Sequence, residues 1–149
     1  MIHIFPDGSY SHTDQLGSWG CVVVTKARSA ILYGTESNSS LDRCELLPII
    51  AGLRWVRKNI PSNRDVHATI ISDSESTVRL LSDPNNTDNS GLFPEYRKLS
   101  DRFNVRLLWA ARNSLVHMEM ADGVAYAART HNKQLLKLFA ETNIPAIEE

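Results

Sequence analysis

Ile2-His3-Ile4-Phe5-Pro6-Asp7-Gly8-Ser9-Tyr10 reads as an apolar strand that ends on a carboxylate, since Ile2 and Ile4 alternate with His3 and Phe5 and Asp7-Gly8-Ser9 carries turn chemistry. Pro6 offers no N–H to a ladder, which assigns it to an edge, a bulge or the strand end. Three further acids sit in comparable places. Glu45 opens an apolar helix pattern in Arg43-Cys44-Glu45-Leu46-Leu47, Asp73 closes Ala68-Thr69-Ile70-Ile71-Ser72, and Asp122 enters a small-residue helix in Met120-Ala121-Asp122-Gly123. Each acid alone has a local explanation as a turn, a first-turn residue or an N-cap. Together they point further, because Asp7 and Asp73 fall at the C-terminal ends of strands, where open α/β sheets gather their sites. Clustered carboxylates repel one another unless cations sit among them, so the expectation is one acidic site that binds divalent metal.

Outward from that strand, Trp19 to Thr25 and Ala30 to Thr35 read as two more β-branched strands, joined by a turn at Lys26 to Ser29, so the opening is an antiparallel meander. Glu36 to Ser40 is a loop, with Ser40, Leu41 or Asp42 as the cap of a helix that runs to Asn59 and stops at Pro61. Pro48 fits that helix in its first turn, which places the start near Glu45. Gly52 permits close packing on a sheet. Val66 to Ser72 is a fourth strand, Ser74 to Leu81 a short helix, and Ser82 to Gly91 a loose connection. A helix around Pro94 to Arg102 leads to a fifth strand at Val105 to Ala110. After a loop at residues 111 to 117, Met118 to Thr142 reads as one long helix, on which Arg129, Lys133 and Lys137 would share a face. The order βββαβαβα, with one extra helix, describes an α/β fold: a mixed five-stranded sheet flanked by helices.

The 149 residues fit a single domain with a core of its own, and 42% hydrophobic with 22% charged residues is ordinary for a globular protein. Cys21 and Cys44 match no zinc or disulfide spacing, which gives an intracellular, cytoplasmic default. The N-terminus has no basic start and Asp7 interrupts its apolar run, so no signal peptide is expected. No stretch reaches the roughly 18 apolar residues of a membrane span. A formal charge of −1 gives the chain little overall attraction for phosphates.

From Ile4 to about Arg129 the chain resembles the ribonuclease H family. Ile4-Phe5-Pro6-Asp7-Gly8-Ser9 with Gly17-Ser18-Trp19-Gly20 is similar to that family's first hairpin, and Ser39 to Leu46 to its polar loop and glutamate-bearing helix. Ser72-Asp73-Ser74 resembles its Asp-Ser strand end, and Met120-Ala121-Asp122 with the Ala-rich run after it resembles its last motif. The resemblance implies hydrolysis of the RNA strand of an RNA/DNA hybrid with two Mg²⁺ ions, or Mn²⁺, leaving 5′-phosphate and 3′-hydroxyl ends. It implies that Asp7 bridges both ions, that Glu45 and Asp73 complete one shell, with Glu45 also near the 2′-hydroxyl, and that Asp122 holds the other ion. Asn38, Ser39, Ser40 and Arg43, with Arg112 and Asn113, are the expected substrate contacts.

Three departures bear on that expectation. The family carries a mobile histidine in the loop before its last aspartate. Here His117 lies closer to Asp122 than that pattern, and Arg112 or Asn113 stands nearer the usual place. Histidine could move a proton, whereas arginine could only stabilise charge. The stretch between Asp73 and Asp122 has no room for an extra basic helix, and Asp83-Pro84-Asn85-Asn86-Thr87-Asp88 in its place is acidic. This predicts weak, salt-sensitive binding by a monomer unless a fused or associated polymerase or nucleic-acid-binding partner helps. Leu41-Asp42 stand where the family often has amides. Two other readings remain open: a DNA nuclease of the same fold, resolvase- or transposition-like, and a non-catalytic nucleic-acid-binding module.

Overall fold

A computed structural model describes residues 1–61, 65–86 and 91–147. Its elements are β1 (Ile2–Ser11), β2 (Leu16–Val24), β3 (Ser29–Ser37), α1 (Leu41–Asn59), β4 (His67–Ser72), α2 (Glu75–Ser82), α3 (Leu92–Ser100), β5 (Asn104–Trp109), α4 (Val116–Arg129) and α5 (Lys133–Glu141). The five strands form one sheet in the order β3-β2-β1-β4-β5. β1 pairs antiparallel with β2 and parallel with β4, so it is the central strand of a mixed sheet. None of the described helices is long and apolar enough to cross a membrane.

Strand alternation divides the core between the two faces of this sheet. Ile4, Cys21, Val23 and Ile70 face α1 and α3, against Leu46, Ile49, Leu53, Phe93 and Leu99. Phe5, Val22 and Val24 face α4, against Met118, Met120 and Ala121, and Ile144 and Ile147 of the C-terminal segment pack on the same cluster.

The structure corrects the expected boundaries in four places. Asp7-Gly8-Ser9 is not a turn: β1 runs through it to Ser11, with Asp7 opposite Gly20, and the reversal falls at residues 12–15, where Gln15 is left-handed. Pairing with β4 ends at Ile4↔Ile70 while pairing with β2 continues to Ser11↔Leu16. Pro6 therefore lies on a stretch with one open edge, where a residue without an N–H is tolerated.

Helix α1 starts at Leu41, four residues before Glu45, capped by the Ser40 hydroxyl, which accepts from the Arg43 N–H at 3.2 Å. Pro48 consequently lies inside the helix rather than in its first turn. It donates no bond to the carbonyl four residues back, that of Cys44. The single helix expected over Met118 to Thr142 is two. His131 takes a left-handed conformation (φ 54°) and the Asn132 side chain caps α5 by accepting from the Leu135 N–H, so Arg129 does not share a helix face with Lys133 and Lys137. Finally, the loop expected from Ser82 starts one residue later, because Ser82 ends α2, and Thr87 to Ser90, and with them part of the acidic stretch, lie outside the described residues.

Candidate active site

The fork between β1 and β4 builds the site. Carried three residues past its last pair, the Ile4↔Ile70 register sets Asp7 level with Asp73 where the two strands have parted. Glu45, in the second turn of α1, reaches this point from one face of the sheet, and Asp122, in the second turn of α4, from the other.

Two glycines let the helices come so close. A Cβ on Gly8 would lie 2.6 Å from the Cys44 carbonyl carbon and oxygen and 2.9 Å from the Glu45 nitrogen. That carbonyl is the one Pro48 leaves without its helical donor, so the strand backbone presses on α1 at the turn that carries Glu45. A Cβ on Gly20, the residue paired with Asp7, would lie 2.6 Å from the Ala121 oxygen and 2.8 Å from the Ala125 nitrogen. The buried Ser18 hydroxyl donates to the Ala125 carbonyl at 2.6 Å and fixes α4 in that seat. Neither Gly8 nor Gly20 stands out in the sequence, where Gly8 reads as a turn residue. The signal available was their position beside and opposite the strand-borne acid.

The resulting cluster is tight, with Asp7 and Glu45 buried and Asp73 half-buried. Carboxylate oxygens of Asp7, Glu45 and Asp73 all lie within 4.8 Å of one another. Asp7 is 7% and Glu45 9% exposed, and Glu45 Oε2 is buried with no hydrogen-bond partner. Burial, the Glu45 charge, a hydrogen bond with the Asp122 carboxyl and the charges of Asp73 and Asp122 push Asp7 up to about 9. Burial and the charges of Asp73 and Asp42 push Glu45 up to about 8. Asp73 is raised by burial, a rise the Arg112 charge opposes.

Asp122 stands at the rim, its side chain 35% exposed, with Oδ1 3.7 Å from Arg112 Nη2. The Asp7 carboxylate accepts from the Gly8 N–H at 3.0 Å, and the Trp109 indole donates to the Asp73 carbonyl at 3.1 Å, holding the ends of β4 and β5 together.

Close acids, two of them buried, with an unpartnered carboxylate oxygen on Glu45 fit a bound cation. An all-oxygen donor set suits a hard divalent ion such as Mg²⁺ or Mn²⁺ rather than zinc.

The other residues singled out in the sequence divide. Arg112 is brought to the rim of the cluster, and Asn113 sits beside it in the exposed loop with φ 56°. Asn38 is left-handed (φ 54°) and its N–H donates to Gln15 at 2.8 Å, tying the β3–α1 loop to the β1–β2 turn; Ser39 and Ser40 follow at the helix entrance. Arg43 holds Glu36 through two nitrogens, at 2.5 and 3.1 Å.

His117 is turned into the core. Its ring is 7% exposed and stacks on Phe5 at 4.8 Å, and Nε2 lies 2.7 Å from the Pro145 carbonyl. A carbonyl only accepts, so Nε2 carries the proton and is not free to take one. A catalytic role for His117, left open in the sequence beside Arg112 and Asn113, would need the ring to leave Phe5 and Pro145.

No protein-family model matches the chain. Curated relatives include a ribonuclease H of Campylobacter jejuni strain 81-176, 24% identical over 137 residues, covering 85% of this chain and 90% of the relative. A ribonuclease H of Pseudomonas fluorescens is 28% identical over 78 residues, 52% of this chain and 48% of the relative. Among solved structures, the N-terminal ribonuclease H domain of a Mycobacterium tuberculosis protein superposes with a TM-score of 0.74 at 21% identity, covering 89% of this chain and 96% of that one.

Proposed function

We propose that the chain, which has ribonuclease H relatives at 24% identity over most of its length and the fold of a ribonuclease H domain, is a member of that family and a metal-dependent endonuclease that hydrolyses the RNA strand of RNA/DNA hybrids, leaving 5′-phosphate and 3′-hydroxyl ends. The observation that carries this reading is the knot of Asp7, Glu45 and Asp73 within 4.8 Å, with Asp7 and Glu45 buried and one Glu45 oxygen unpartnered. Asp7, Glu45 and Asp73 would hold one Mg²⁺ or Mn²⁺, and Asp7 with Asp122 a second. When bound, the pair supplies a nucleophile at neutral pH and neutralises charge on the leaving oxygen.

The protein's own groups do the rest. Gly8 and Gly20 fix the distances between carboxylates carried on separate elements, so that the donor set exists before substrate arrives. Asn38, Ser39 and Ser40 immediately precede the helix that carries Glu45, and their hydroxyl and amide groups would suit the 2′-hydroxyls that separate RNA from DNA. Arg43, committed to Glu36, braces that loop rather than reaching for phosphate. Arg112, exposed beside Asp122, is the cation available to a phosphate at the cleft mouth, and with Asn113 it fills the place in which a histidine was expected. A chain of formal charge −1 draws little on long-range attraction, so a tethered or associated nucleic-acid-binding or polymerase partner would raise its affinity.

The test is a substrate panel in Mg²⁺ and Mn²⁺: labelled RNA/DNA hybrid, single-stranded RNA, and duplex and branched DNA, with Asp7→Asn and Asp73→Asn as controls. Hybrid cleavage that both substitutions abolish is expected. Cutting of DNA with hybrid untouched would assign the site to DNA, and activity surviving both substitutions would remove the site itself.

A further inference from the structure

The face of α4 that carries Asp122 continues past the acids. Asp122, Tyr126 and Arg129 are spaced i, i+4 and i+7, which aligns them along one side of a helix. Across from them on β1, Ser9 lies on the same strand face as Asp7, two residues further along. The two rows meet where the Arg129 Nε donates to the Ser9 hydroxyl at 2.8 Å, with the guanidinium over the Tyr126 ring at 5.5 Å.

Two features set this corner apart from ordinary surface. Like Arg28 and Arg97, Arg129 pairs with no carboxylate among the described residues, but unlike them it stands on the helix that carries Asp122. Tyr126 leaves 53% of its surface in solvent although it stands on the helix that covers the sheet. A half-buried guanidinium, aimed by a hydroxyl and an aromatic face and lacking an anion, is chemically complementary to a phosphodiester. The exposed ring beside it offers a platform for a sugar or base.

We propose that Ser9, Tyr126 and Arg129 form a subsite for a backbone phosphate of the strand being cut, two to three nucleotides from the scissile bond. The spacing follows from the elements. Seven residues of helix from Asp122 rise about 10 Å, and two residues of strand from Asp7 span about 7 Å. Two to three steps of a nucleic-acid strand, at roughly 3.4 Å of axial rise each, cover that range. The inference rests on the proposed nuclease reading, because it takes the acids as the point from which the strand is measured. It adds a positioning contact that compensates locally for the missing overall positive charge.

The experiment measures hybrid cleavage against salt for the wild type, Arg129→Ala, Arg129→Lys and Tyr126→Ala, with thermal unfolding of each. Arg129→Ala should raise KM about tenfold, the size of one charge-assisted hydrogen bond, with kcat within about twofold. Its slope of log KM against log salt should fall by about one, and Arg129→Lys should restore that slope. Tyr126→Ala should raise KM without changing the slope. A neutral methylphosphonate walked along the cleaved strand should reproduce the Arg129→Ala loss at one position two to three nucleotides from the cut, and add nothing to that variant. An unchanged KM, an unchanged salt slope, or losses that add at every position would overturn the subsite. If the wild type leaves hybrids intact, the nuclease reading fails, and the same salt slopes are read by fluorescence anisotropy on whichever of hybrid, RNA or duplex DNA it binds. Binding of none of them would overturn the subsite as well, while a wild type that cuts hybrids no better than Arg129→Ala sinks the subsite alone.

Discussion

Helices α1 and α4 approach Asp7 from opposite faces of one sheet, yet they deliver their carboxylates into different settings. Glu45 rides a 19-residue helix whose Leu46, Ile49, Ile50, Leu53 and Val56 are buried in the larger core cluster, and its N-terminus is capped by Ser40. Helix α4 is 14 residues long, begins at Leu115 without a side-chain cap, and leaves Leu115 and Val116 exposed. Glu45 is buried and its carboxyl is held up to about 8; Asp122 is at the rim, beside Arg112. The difference teaches that α1 is seated by large aliphatic side chains, whereas α4 is seated mainly by small ones, Ala121, Ala125, Ala127 and Ala128, in close backbone contact with the sheet, and carries its acid at a rim balanced by Arg112. Removing a charge should therefore hurt most at the shared centre, and shifting a helix should hurt more on the α4 side.

The largest effect belongs to Asp7, which both sides share. Asp7→Asn should lower hybrid cleavage by more than about 100-fold, beyond the range seen when only outer-shell partners of a metal are lost. The amide also needs no proton to enter the cluster, so the same variant should unfold at a higher temperature than wild type in metal-free buffer at pH 8.

The glycine pair separates the two faces directly. Gly20→Ala must push α4 off β2, since the new methyl would meet the Ala121 oxygen at 2.6 Å. A displacement near 1 Å at a metal ligand costs on the order of 10²-fold, so cleavage should drop by about 10- to 100-fold with a modest loss of stability. Gly8→Ala meets α1 backbone that its core anchors hold in place, and the strain should appear mainly as stability, about 1–3 kcal/mol by overpacking. Equal activity-to-stability ratios for the two variants, from cleavage rates and denaturant midpoints, would break the comparison.

Proton linkage gives the next effect. Asp7 and Glu45 have folded values of about 9 and about 8, above the ordinary 3.8 and 4.5, so the folded chain holds more protons than the unfolded chain between those limits. Stability from these groups is full below about pH 4 and drains as pH rises through 8 to 9. Without metal, the melting temperature should fall by several degrees between pH 6 and pH 9, at about 2–4 °C per kcal/mol for a chain of this size. Mg²⁺ should flatten the curve, because cations replace protons among the acids. Calorimetry in EDTA and in Mg²⁺ reads both.

The central strand, the sheet and the four acids were legible in the sequence because strand alternation and strand-end carboxylates are local signals. The extent of β1 was not. Asp7-Gly8-Ser9 has the composition of a turn, and only the pairing with Gly20, across a reversal at residues 12–15, shows that the same residues serve as close-approach strand positions. The split between α4 and α5 was masked for a similar reason: apolar periodicity resumes after Asn132, and a left-handed His131 leaves little trace in composition. His117 illustrates the limit for site residues. Its ring is turned inward by Phe5 and by Pro145, one an early strand residue and the other in the C-terminal segment.

On the electrostatic side of the site, Arg112→Ala should have a smaller, two-sided outcome. The guanidinium now offsets negative charge on Asp122, Glu45 and Asp73. Its loss should tighten Mn²⁺ binding measured by calorimetry, while KM for hybrid rises a few-fold because the cleft mouth has lost its cation. Arg112→Lys, which keeps the charge, should stay near wild type in metal affinity. Metal affinity unchanged by Arg112→Ala would mean that the rim is not balanced electrostatically.

The smallest expected effect on cleavage is at His117, and it discriminates most cleanly between moving protons and holding structure. His117→Phe preserves the stacking on Phe5 but removes the bond to the Pro145 carbonyl, leaving a part-buried acceptor unmet. That should cost about 1–3 kcal/mol of stability and loosen residues 143–147, seen as faster amide exchange there. Cleavage should remain within about twofold of wild type, with the same pH profile, because the ring does not reach the acids. A large fall in kcat with stability unchanged, or a lost limb of the pH profile, would return the histidine to the chemistry and show that α4 is repositioned during turnover.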